Sequence, residues 1–126
     1  VQKRQKIAIK YDEWFYDHNI LKVPKVNDTV QHSYHLYPLQ IDFKKTKINK
    51  VQLFHKMKES NINLQVHYVP VHLQPYYQKN YNIKTAELIN SESFYNSEIS
   101  LPVYPELDKE KQQYVKKTIL SHLGKR

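Results

Sequence analysis

The sequence predicts an α+β domain: a small antiparallel or mixed sheet of about three to four strands with helices on one face. Three observations carry this. Stretches near both ends of the chain place apolar residues at helical spacing. Two central stretches alternate apolar and polar residues with a period of two. The length of 126 residues suits one domain, 1–126, large enough to bury a core without staples.

In order, residues 3–18 set Ile7, Tyr11, Trp14, Phe15 and His18 on one helical face, with Asn19 as the stop and Pro24 barring an early restart. Residues 33–43 alternate Leu39, Ile41 and Phe43 against Gln40 and Asp42, a half-buried strand; Pro38 cannot donate to a ladder and marks an edge or an entry point. Lys44 to Lys47 is a polar turn, followed by a helix over 49–60 that buries Val51, Phe54 and Met57, with Leu53 as a further candidate. Leu64, Val66 and Tyr68 alternate with Gln65 and His67, a second strand that Pro70 stops. Residues 70–84 read as an ordered loop, 85–92 as a short helix, and Ile99 to Leu101 as a third strand ended by Pro102. Asp108 is a good N-cap for a last helix over 109–123, in which Val115, Ile119 and Leu123 recur every fourth residue. So short a sheet needs one face covered, and its other face is free to meet another domain or subunit.

Composition excludes several functions. There is no cysteine, so disulfides and thiolate metal sites are out. No apolar run reaches the roughly 20 residues of a membrane span. The basic N-terminus lacks the apolar stretch of a signal peptide, which makes a cytoplasmic protein the default. Residue 1 is valine rather than a start methionine, which points to a trimmed chain. The net charge of +8 invites a polyanion partner. Yet only Arg4 and Arg126 among the 20 basic residues are arginine, the side chain that reads base edges with a planar fork, and the lysines are scattered. A Lys-rich solvated surface is the favoured reading. The single glycine, Gly124, rules out a glycine-rich phosphate cradle within this chain.

Neither His32 and His35 nor His67 and His72 has the spacing of a metal pair, and no nucleophile elbow or carboxylate pair is identifiable. Two clusters stand out. His32-Ser33-Tyr34-His35-Leu36-Tyr37-Pro38 and Val66-His67-Tyr68-Val69-Pro70-Val71-His72 each crowd imidazole and phenol groups at the end of a strand. Such groups stack on and hydrogen-bond to sugars. Rim side chains on a tyrosine-rich sheet surface would look the same; by spacing alone a rim histidine is the favoured reading of the His67 cluster, and the His32 cluster is ambiguous.

In this order the clusters resemble the C-terminal part of the DegT/DnrJ/EryC1/StrS family of sugar aminotransferases. Residues 3–11 look like its R-x-x-I/A-x-x-Y helix, His35 to Pro38 its H-L-Y-P strand, and His67 to His72 its H-Y-x-P-x-H element. Ala86-Glu87 looks like the end of its P-x-A-E helix start, and Ser100 to Leu107 its S-L-P-x-Y-P-x-L. Five motifs in order, across nearly the whole chain, are specific. Gln65 to Tyr77 look most like the branch that aminates a UDP-linked 4-keto-6-deoxy-hexosamine on the route to pseudaminic acid. The chain departs from the family where Asn49-Lys50 replaces an arginine, Asn61-Ile62 a Gly-Ile and Lys84-Thr85 a Cys-Pro. Asparagine is the next best residue to glycine for a left-handed backbone.

The resemblance implies the small domain of a fold-type-I pyridoxal-phosphate enzyme. The large domain, with the Schiff-base lysine, the acid partner of the pyridine nitrogen and most of the phosphate site, would lie outside these residues. No cofactor is then expected on this chain alone, and no catalytic residue. His67, Tyr68, Val69 and Pro70 would line the sugar-nucleotide site, with His72 and the strand of His35 and Tyr37 nearby. Implied partners are a sugar-nucleotide substrate, an amino-acid donor, the large domain and a second subunit in a homodimer; a membrane is not among them, and the sequence disfavours nucleic acid. Two other readings compete. One is a free-standing RNA- or polyanion-binding module, supported by the charge and the eleven tyrosines. The other is a complete small enzyme, for which no catalytic constellation is present.

Overall fold

The computed structural model describes residues 1–81, 83 and 85–124. Helix α1 spans Gln2–Phe15, and the chain then forms strands β1 (Leu21–Lys22) and β2 (Tyr37–Ile41). Helices α2 (Lys50–Glu59), α3 (Pro75–Asn80) and α4 (Ile89–Ser97) follow, then strand β3 (Glu98–Leu101) and helix α5 (Lys109–Leu123). The strands form one antiparallel sheet in the order β1-β2-β3. The fold is α+β.

Register explains the core. Tyr37 faces Leu101, Leu39 faces Ile99, and Ile41 faces Leu21 across the strands. Cross-strand partners share a face, so these six form one apolar surface. Ile7, Ala8, Tyr11 and Phe15 of α1, Leu53 and Met57 of α2, and Val115, Ile119 and Leu123 of α5 join them in one buried cluster. Burying each large side chain stabilises the fold by about 1.5–3 kcal/mol before entropy is counted. Polar ties fix the helices over the sheet: the Gln112 amide donates to the Ile7 carbonyl at 2.7 Å, and the Tyr11 hydroxyl donates to the Pro102 carbonyl at 3.1 Å.

Local chemistry sets the boundaries. Asn49 and Gln52 form a capping box at the start of α2, and the Asp108 carboxylate accepts from the Lys111 amide at 2.8 Å to open α5. The Asn49 start sets the phase of α2, so Leu53 and Met57 point inward. Val51, expected inside, is exposed, while Leu53 is fully buried. Asn61, standing where the family has glycine, has φ of 57°, the left-handed turn that leads out of α2.

Several expected elements are corrected. Helix α1 stops at Phe15 rather than at residue 18, because the chain turns at once into β1 with the Leu21 amide on the His18 carbonyl. Strand β1 has no counterpart among the elements that the sequence predicts. The strand expected over 33–43 covers only Tyr37–Ile41, so His35 sits on the approach to β2, where Tyr34 takes φ of 47°. Pro38 lies in the middle strand, yet β1 pairs only with Gln40 and Ile41 and leaves that side of β2 open at Pro38. Residues 64–68 form no strand; Gln65 alone bridges to Ser100, and the His67–Tyr68 peptide is cis. The expected loop over 70–84 contains a 3-10 turn at Val71–Leu73 and helix α3, started by Pro75 in its first turn. Asn82 and Lys84 of that loop lie outside the described residues. The short helix expected at 85–92 is a 3-10 turn, Thr85–Leu88, continued by α4 to Ser97.

Candidate functional site

Side chains alternate along a strand, so Glu98 and Ser100 share the sheet face opposite Ile99 and Leu101. Both are buried. The Ser100 hydroxyl donates to Glu98 Oε1 at 2.6 Å, and the His67 backbone N–H donates to Glu98 Oε2 at 3.3 Å. His67 Nδ1 lies 2.8 Å from Ser100 Oγ. The ammonium of Lys50, at the start of α2, donates to the Tyr95 carbonyl, lies over the Tyr95 ring and is attracted by Glu98. Burial depresses the Lys50 pKa, against that attraction. The bridge between Gln65 and Ser100, with bonds of 2.8 and 3.4 Å, holds the segment before His67 against β3.

Beyond His67 the chain leaves the sheet. Tyr68 is 72% exposed and Val69 is exposed, while Pro70 opens the 3-10 turn that carries His72 inward. His72 Nε2 meets Glu92 Oε1 of α4 at 2.9 Å, and the Gln78 amide of α3 donates to the His72 carbonyl at 3.0 Å. Two polar contacts therefore tie this rim to helices on either side.

His67 stands between two clefts. One, of about 430 Å³, runs between β3, the turn after α2 and the start of α5; its walls include His35, Gln65, His67, Ser100, Tyr104 and Tyr114. The other, of about 740 Å³, is walled by His67, Tyr68, Pro70, His72, Tyr77 and Phe94. Of the residues singled out from sequence, His35 and His67 meet in the first cleft, and His67, Tyr68, Pro70 and His72 in the second. Val69 lines neither. Tyr37 lines neither and is fully buried. Its hydroxyl donates to Asp12 Oδ1 at 2.6 Å, and burial with that bond pushes its pKa far up. Among the described residues no group of His, Asp or Glu side chains could hold a metal ion.

The sequence singles out neither Glu98, Lys50 nor Glu92 as a site residue, and Ser100 stands in it only as part of the third strand and the S-L-P-x-Y-P-x-L motif. The parity of Glu98 and Ser100 in an otherwise apolar strand was the available signal. Nothing in the sequence pairs His72 with Glu92, 20 residues apart.

Residues 1–120 match the profile of the DegT/DnrJ/EryC1/StrS aminotransferase family. The chain belongs to this family. It is 38% identical over 107 residues to the spore coat polysaccharide biosynthesis protein SpsC of Bacillus subtilis, covering 84% of this chain and 28% of that protein. It is 32% identical to the UDP-4-amino-4,6-dideoxy-N-acetyl-beta-L-altrosamine transaminase of Campylobacter jejuni, covering 99% of this chain and 32% of the relative. Among solved structures, Helicobacter pylori PseC, an aminotransferase involved in the biosynthesis of pseudoaminic acid, superposes with a TM-score of 0.83 at 30% identity, over 97% of this chain and 32% of that one. The chain thus spans about a third of the length of these family members.

The family implies pyridoxal phosphate, and the residues of the two clefts at His67 do not fit it by themselves. A Schiff-base lysine must reach a cleft with a free amine. The one lysine on the first cleft, Lys111, is held by Asp108 at 3.0 Å, which raises its pKa, and the second cleft is lined by none. Lys50 has a depressed pKa, but its amine is taken by Tyr95 and it lines neither cleft. No glycine stands at either cleft to admit a phosphate against the backbone.

Proposed function

We propose that these residues form the C-terminal small domain of a pyridoxal-phosphate-dependent sugar-nucleotide aminotransferase. The enzyme would transfer an amino group from an amino-acid donor to a 4-keto-6-deoxy sugar nucleotide. The cofactor, its lysine and most of its phosphate contacts belong to a large domain outside residues 1–126, and the working enzyme is a homodimer. The observation that carries this reading is convergence. His35 and His67, far apart in sequence and each in a motif shared with the family, wall one cleft, and Tyr68, Pro70 and His72 wall its neighbour. These side chains offer imidazole, phenol and apolar surface but no activated nucleophile. That suits recognition of a hydroxyl-rich substrate, while the chemistry is supplied across a domain interface.

Incubation with pyridoxal phosphate and reduction with borohydride tests the division of labour. Peptide mass spectrometry is expected to find no single lysine of this chain carrying the reduced cofactor in stoichiometric amount. A stoichiometric adduct there would end the reading. In the assembled enzyme, His67→Ala is expected to raise KM for the sugar nucleotide by about tenfold, the worth of a substrate hydrogen bond, with KM for the amino donor unchanged. Family membership leaves the polyanion-binding alternative without support.

A further inference from the structure

Protons in the network under His67 can be counted. Ser100 has one hydroxyl proton and two oxygens or nitrogens within reach: Glu98 Oε1 at 2.6 Å and His67 Nδ1 at 2.8 Å. An ionised Glu98 can only accept. If Ser100 gave its proton to His67 instead, two oxygen lone pairs would face each other at 2.6 Å. Ser100 therefore donates to Glu98 and must accept from His67, which requires the proton to sit on Nδ1. A protonated Glu98 would reverse every bond: Glu98 to Ser100, Ser100 to Nδ1, and the imidazole proton on Nε2. Two observations favour the ionised acid. The His67 backbone N–H already donates to Glu98 Oε2, and Glu98 favours the charge on Lys50. Two hydrogen-bond donors offset the cost of burying a carboxylate's charge.

We propose that Glu98 and Ser100 are positioning residues that lock His67 in its Nδ1–H tautomer, so that Nε2 offers a lone pair to a hydrogen-bond donor on the substrate. The substrate class rests on the function proposed above: a sugar hydroxyl or an N-acetyl N–H would satisfy Nε2, whereas a bare carbonyl or ether oxygen would not. The lock itself depends only on the bonds within this chain. It turns a histidine that could serve as donor or acceptor into one that discriminates between them.

The test reads the imidazole directly. Two-bond proton–nitrogen correlation spectra of ¹⁵N-labelled protein, recorded where His67 is neutral, are expected to show its proton on Nδ1. Ser100→Ala removes the acceptor and is expected to abolish that preference, moving the proton to Nε2; Ser100→Thr keeps a hydroxyl and is expected to keep the tautomer. A purely structural serine would leave the pattern unchanged in the alanine variant, which would overturn the lock. Nε2–H in the unaltered protein would overturn it too, and would mark Glu98 as protonated. Adding UDP-N-acetylglucosamine as a probe to the assembled enzyme is expected to shift the Nε2 resonance. An intact lock with no Nε2 response would overturn the substrate-facing half of the proposal and count against the proposed function, while leaving the tautomer assignment standing.

Discussion

Strand β3 is buried on both faces, but by different means. Toward α1, α2 and α5 it presents Ile99 and Leu101, which meet Leu39 and Tyr37. Toward His67 it presents Glu98 and Ser100, whose polar atoms are all engaged by hydrogen bonds. The apolar face is held by area removed from water, which is non-directional and tolerates repacking. The polar face is held by directional bonds, each needing its partner, and removal of one leaves others unsatisfied. The lesson is that stability and recognition are assigned to opposite sides of the same four residues. Packing on one side fixes β3, and the fixed strand then aims a histidine on the other.

The largest effect is expected on the apolar face. Leu39→Ala, at a fully buried site opposite Ile99, should lower unfolding free energy by about 2–5 kcal/mol in urea titration. A loss under about 1 kcal/mol would mean that this face is not the tightly packed one. On the polar face, Glu98→Leu keeps apolar bulk but strands the His67 N–H and takes the carboxylate acceptor from Ser100, and should cost about 1–3 kcal/mol. A gain in stability would break the contrast, because plain burial would then explain both faces.

A smaller, pH-dependent term sharpens it. Asp12 receives the Tyr37 hydroxyl at the margin of the apolar face. Burial holds its carboxyl above the usual carboxylate range, and the Tyr37 bond pulls the other way. A raised folded-state pKa stabilises fully below the unfolded value, near 3.9, and that contribution is lost as pH rises through the folded value. The Asp12 contribution to stability should therefore fall over this interval as pH rises, by less than about 1 kcal/mol because Asp12 is partly exposed. Asp12→Asn, which retains an acceptor for Tyr37, should flatten that part of the stability–pH curve measured by thermal unfolding. The smallest effect belongs to the rim. Tyr68→Ala, at a side chain 72% exposed, should change stability by no more than about 0.5 kcal/mol while weakening sugar-nucleotide binding in the assembled enzyme.

Much of the fold was legible because local rules govern it. The caps at Asp108 and the four-residue repeat of Val115, Ile119 and Leu123 place α5 without ambiguity. Alternation around Leu39 and Ile41 marks β2, whereas its outer half fails as a strand because Tyr34 takes a left-handed backbone. Strand β1 was invisible: two residues carry no period, and only pairing with Ile41 and Gln40 makes them a strand. The alternation of residues 64–68 misled for the converse reason. Its pattern is that of a strand, but beside β3 only Gln65 finds a ladder partner. The site was half legible. His67, Tyr68 and His72 drew notice as a cluster of unusual side chains, but the acids that hold the two histidines, Glu98 and Glu92, come from later elements.

By itself the sequence determined the α+β class, the main helices, the absence of a glycine phosphate cradle and the motifs of the aminotransferase family. These depend on neighbours a few residues apart, or on composition. Tertiary structure alone decided that His35 and His67 share a cleft, that Tyr37 turns into the core, and that a buried glutamate and serine stand beneath His67. Such contacts join residues tens of positions apart, and no periodicity in a linear chain encodes which of them meet until the sheet register brings them together.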